Sequence, residues 1–110
     1  MNTTKFERIV KELIGEVNRV RLQAQQEYAE TDNVFQNFEE TAKRLGISRE
    51  EVLYVFLDKH LRGVARWIRG VKDQRDAVEG RIIDAINYLI ILYAMIRDEE
   101  DKFKEEEEDL

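Results

Sequence analysis

Asp84 and Asn87 stand one helical turn apart in EGRIIDAINYLIIL, residues 79–92. A carboxylate and a carboxamide on one side of a helix can bond a polar ligand or share a cation. Taking 100° per residue, Asp73, Asp76, Gly80, Asp84 and Asn87 fall within a stripe of about 80°. Lys59, Arg62, Arg66 and Arg69 form a basic stripe of about the same width one helix earlier. Three chemistries fit these charges. Asp76 and Asp84 could hold a divalent cation such as magnesium, which needs several converging oxygens. Lys59 and Arg62 could instead contact a phosphate-bearing ligand. The spacing favours a third outcome, in which Asp76 and Asp84 pair with Lys59 and Arg62 across the interface between the two helices.

The remaining candidates are fewer. His60 is the single histidine, and with no cysteine it cannot build a typical zinc site. No serine or cysteine nucleophile is evident for it to activate. It reads as a structural histidine that can bond a neighbouring carboxylate. Asn37 lies near the junction of helices 1 and 2 with Tyr28, Asn33 and Phe38. It either caps the chain there or reaches into the site. Residues 58–75 carry six Lys or Arg with Trp67 among them, a composition that can grip a nucleic-acid backbone. The chain as a whole is acidic, at −6, and has no recognisable DNA-binding motif, so nucleic acid is not the expected partner.

These side chains must be positioned by helices. The 110 residues include no proline and five glycines, which reads as one all-α domain. Helix 1 is long, from about Thr4 to Ala29, with Phe6, Ile9, Val10, Leu13, Ile14, Val17 and Val20 as its apolar stripe. A break at 30–33 leads to helix 2 at 34–45, which Gly46 stops. Ser48 and Glu51 form a capping box that opens helix 3, expected to end near Gly70. Helix 4 is expected over 72–98. Leu89 to Ile96 are apolar all round, so Asp84 should be partly buried just below them. Short connections predict an antiparallel four-helix bundle over 1–97. Residues 98–110 form an acidic tail, either a helical extension or disordered, with nine acids against two lysines.

The N-terminus lacks the layout of a signal peptide, and the longest apolar run falls short of a membrane span. Without cysteine, the expected location is the cytoplasm, with no membrane partner. Helix 4 has more apolar faces than three neighbours would cover, so a homo-oligomer, dimer or tetramer, is expected.

The series Tyr28…Asn33-x-Phe35-x-Asn37-Phe38…Ala42, then VFLDKHLRG at 55–63 and DAINYLIIL at 84–92, resembles MazG-like, nucleotide-modification-associated proteins of phage and prophage. More broadly it is similar to the all-α nucleoside triphosphate pyrophosphohydrolases. The resemblance implies a nucleotide partner, cleavage of nucleoside triphosphates to monophosphate and pyrophosphate, and a magnesium cofactor. It places Asp84 and Asn87 in the catalytic role, Asp84 and Asp76 on the metal, and Lys59, Arg62, His60 and Asn37 on the substrate. Two departures stand out. Arg81 occupies the place of the acid three residues before Asp84, and helix 3 is basic where catalytic members are acidic. The alternative is a non-catalytic helical assembly protein whose charges pair with each other.

Overall fold

Phe35, Leu53 and Met95 meet in a small core to which three helices contribute side chains or their leading turn. A computed structural model describes residues 1–28 and 31–109, the side chain of Tyr28 excepted. It contains four helices: α1 (Thr3–Tyr28), α2 (Gln36–Leu45), α3 (Arg49–Ile68) and α4 (Val78–Glu108). The expected end of helix 1 at Ala29 falls outside the described residues. No helix among those described is long and apolar enough to cross a membrane.

Local signals account for most of the boundaries. Gly46 takes φ 70°, a left-handed conformation open to glycine at little cost, and its amide bonds the Ala42 carbonyl to close α2. Both bonds of the Ser48–Glu51 capping box are present at the start of α3. Asn33 helps to open α2: its Oδ1 accepts from the Phe35 amide at 3.0 Å. Asx geometry of this kind turns the chain before a helix without being its formal cap.

α4 departs from expectation at both ends. It begins at Val78, six residues later than the pattern suggests, and it continues through the acidic stretch to Glu108. The late start has a tertiary cause. Gly70, at φ 109°, turns the chain, and Gln74 Nε2 then donates to the Gly63 carbonyl at 2.9 Å. This contact holds residues 71–77 against α3 in place of a helical turn. Asp73 and Asp76 therefore do not belong to the helix that carries Asp84.

The helices do not close into a ring. Among the described residues α3 packs on α4, α2 on α3, and α1 on α4 alone. Arg49 beside Met95, His60 beside Asp84 and Gly63 beside Arg81 show that α3 and α4 run antiparallel. The radius of gyration is 17.1 Å, against about 13 Å for a compact chain of this length. An open helical bundle results, with a cleft where α1 stands away from α2.

Candidate functional site

The cleft lies between the C-terminal half of α1, the segment 31–38 and one face of α4, and measures about 710 Å³. Pockets for small molecules typically occupy about 300–1,000 Å³. From α4 come Asp84, Asn87 and Tyr88; from the start of α2 come Asn37 and Phe38; from α1 comes Arg21. Asp84, Asn87 and Asn37, three residues singled out from the sequence, thus share one cavity.

Asn87 is the pivot. It is 7% exposed, the one buried polar residue among those described. Its Nδ2 donates to the Val17 carbonyl at 3.1 Å, and its Oδ1 accepts from Arg21 Nη1 at 3.3 Å. Arg21 Nη2 also donates to Asn18 Oδ1 at 2.7 Å. A buried carboxamide with both ends engaged has no freedom to rotate, so it fixes α1 on α4 and aims the guanidinium. Arg21 was not among the residues picked out from sequence. Its signal was available, because it falls at the same three- and four-residue spacing as Val17 and Ala24 on the apolar stripe of helix 1. A cation within such a stripe needs a partner.

Asp84 opens onto the cavity and His60 stands behind it. His60 Nδ1 is 3.8 Å from Asp84 Oδ2, too long for a hydrogen bond. The imidazole stacks on Tyr88 with centroids 5.6 Å apart, and Tyr88 stacks in turn on Phe56. Burial pushes the His60 pKa down, with Lys59 and Arg81 acting in the same direction against the opposing charges of Asp84 and Asp76. The neutral imidazole is favoured. Burial, helped by the Asp84 charge, raises the Tyr88 phenol and keeps it protonated.

The other sequence candidates lie elsewhere. Lys59 and Arg62 do not line the cavity. Arg62 pairs with Asp58 on its own helix at 3.1 Å, and Asp76 reaches Arg81 at 3.6 Å. The expected pairing of Asp76 and Asp84 with Lys59 and Arg62 is therefore absent among the described residues. Arg62 finds its partner within α3, and the late start of α4 removes Asp76 from the face expected of it.

The same displacement bears on magnesium. No three His, Asp or Glu side chains converge among the described residues. Asp76 is engaged by Arg81, and Asp84 has no second α4 carboxylate beside it. This donor set does not fit a magnesium ion held by Asp84 and Asp76.

A second polar cluster, also missed from sequence, anchors the far end. Arg49 donates to Asp98 at 3.1 Å, Glu99 at 3.2 Å, Glu39 at 3.3 Å and the Met95 carbonyl at 3.3 Å, and it covers the Phe35 ring. Its side chain is 10% exposed. An arginine in the first turn of a helix opposes the dipole, which marked it as a residue with partners elsewhere. Asp98 and Glu99, counted with the tail, are thus clamps for α3.

No family model matches the chain, and no curated protein or solved structure matches it either.

Proposed function

We propose that the chain is a MazG-like nucleotide-binding protein whose ligand occupies the cleft between α1 and α4. The observation that carries this reading is the convergence of Arg21, Asn37, Asp84 and Asn87 on one cavity beside Phe38 and Tyr88. Each group has a use for such a ligand. Aromatic side chains offer faces for a heterocycle, the Asn37 carboxamide matches its paired donors and acceptors, and Asn87 holds Arg21 in place. Arg21 supplies a fork of donors for phosphate oxygens. This assignment moves the phosphate contact from Lys59 and Arg62 to Arg21.

The balance of charge favours binding over hydrolysis. Among the described residues Arg21 is the single cation lining the cavity, which also carries the carboxylates of Asp32 and Asp84. A triphosphate needs more positive charge than that, whereas a mononucleotide or nucleoside does not. A thermal-shift screen with nucleosides, nucleoside monophosphates and nucleoside triphosphates tests the reading, because a specific ligand must raise the melting temperature. One nucleotide that stabilises the wild type but not Arg21→Ala is the expected result; no shift with any of them would remove the reading. Assaying the same samples with magnesium for pyrophosphate release tests hydrolysis, for which the expected result is none.

The Arg49 cluster supports a second reading, a non-catalytic helical assembly protein, since its charges are spent on joining helices. That reading predicts no nucleotide-dependent shift.

A further inference from the structure

The face of α4 turned away from the cavity is apolar and uncovered. Ile82, Ile86, Leu89, Tyr93 and Ile96 recur at steps of four and three; Glu100 takes the next place in that register and Phe103 the one after it. That is a heptad stripe, the pattern with which helices pack on one another. It is about 31 Å long and lies within an arc of about 100°, with Asp84, Asn87 and Ile91 on the opposite side of the helix. Leu89 is 50% exposed, Tyr93 64% and Phe103 61%. Two of the stripe's members, Leu89 and Ile96, delimit the segment that reads as apolar on every side.

Charge is also distributed unevenly along the molecule. Because α3 and α4 are antiparallel, the stretch 59–75 lies beside the start of α4, where Arg81 crosses Gly63. Lys59, Arg62, Arg66, Arg69, Lys72, Arg75 and Arg81 outnumber Asp58, Asp73, Asp76 and Glu79 there and leave that end basic. The other end of α4 carries the nine acids and two lysines of the tail. The two ends belong to a body 55 Å long.

We propose that this face docks a second copy of the chain, α4 against α4 in antiparallel orientation about a two-fold axis near Tyr93. The arrangement is self-complementary, as an isologous contact must be. It buries the stripe against itself and lays each acidic tail along the partner's basic end. A parallel pairing would set tail against tail and Glu100 against its own copy, placing like charges together. The cavity lies on the other side of α4, so docking leaves it open and is independent of what it binds.

The chain has no cysteine, which makes the orientation directly measurable. At micromolar concentration, light scattering is expected to give twice the chain mass of 13.1 kDa. Leu89→Lys combined with Tyr93→Glu is expected to reduce this to the single-chain mass. Both sites are exposed, so the helical circular-dichroism signal should persist. For orientation, Ile82→Cys and Phe103→Cys are prepared as separate proteins and treated with a short bismaleimide. The mixture of the two is expected to cross-link, and each alone is not. A single-chain mass for the wild type would overturn the proposal. So would cross-linking of each variant with itself, the parallel result, or association only with a foreign protein.

Discussion

Arg21 and Asn87 meet across the α1–α4 interface, where the guanidinium Nη1 donates to the carboxamide Oδ1 at 3.3 Å. The contact is partly buried and joins residues 66 positions apart in the chain. It is the one side-chain hydrogen bond from α1 to another helix apart from the bond that Asn87 itself makes to the Val17 carbonyl, among the described residues. The seating of α1, and with it the shape of the cleft, depends on this pair.

Asn87→Ala should therefore destabilise the fold. It removes two hydrogen bonds and leaves Arg21 aimed into a partly buried space. The expected loss is about 1–3 kcal/mol, read from urea unfolding at unchanged m-value. Asn87→Asp should be milder than alanine, because a carboxylate keeps the bond to Arg21 while giving up the donor to Val17.

Arg49→Met tests the clamp at the other end of α4. Its partners are partly solvated, which screens each pair, so the expected cost is about 1.5 kcal/mol. The hydrogen bond from Arg49, with that from Lys102, holds the Asp98 carboxyl below the usual carboxylate range. A lowered folded pKa means that the unfolded chain takes up the proton first. The contribution of Asp98 is complete above its unfolded value of about 3.9 and is lost as pH falls through the lower folded one. The Arg49→Met cost, measured by denaturant at several pH values, should shrink as pH drops through that window.

How far the sequence reached follows from the range of the interactions involved. Gly46 and the Ser48–Glu51 box act over three or four residues, so α2 and the start of α3 were legible. Asp84 and Asn87 could be picked out by type and helical spacing, and Asn37 by its place at the junction of helices 1 and 2; the three share the cavity. The start of α4 could not be read, because residues 71–77 contain no proline or glycine. What holds them out of the helix is a bond from Gln74 to a carbonyl on the previous helix. That error carried Asp73 and Asp76 onto a face they do not occupy. Arg21 and Arg49 act across 66 and 49 positions, distances over which helical periodicity carries no information.

Gly63→Ala should destabilise through Arg81. A Cβ at Gly63 would run into Cδ, Nε and Cζ of the Arg81 side chain, which lies on the bare backbone of α3. The arginine must then move and release Asp76. Overpacking costs about 1–3 kcal/mol, but the clash is with the end of a flexible side chain. Alanine also gains about 1 kcal/mol over glycine inside a helix, so a net loss of about 1 kcal/mol is expected. In the Arg81→Ala background the same substitution should cost much less, and a double-mutant cycle measures the difference. Additive losses would show that the two residues do not compete for the space.

His60 should make stability pH-dependent near neutrality. Burial lowers its folded pKa, so the unfolded chain protonates first as pH falls. Stability is complete above the unfolded value of about 6.5 and declines as pH drops through it towards the folded value. His60→Phe keeps a ring against Tyr88 but cannot titrate. Between about pH 8 and pH 5 its melting temperature should fall less than that of the wild type. Equal slopes would remove His60 as the source.

The central claim is that the cleft beside Asn87 takes a nucleotide through Arg21. Isothermal titration of the wild type and Arg21→Ala with the nucleotide giving the largest thermal shift tests it most directly. The account predicts saturable binding at one site per chain, weakened about tenfold or more in the variant, the equivalent of about 1.4 kcal/mol. Binding of equal affinity in both proteins, or no heat of binding for any nucleotide, would contradict it.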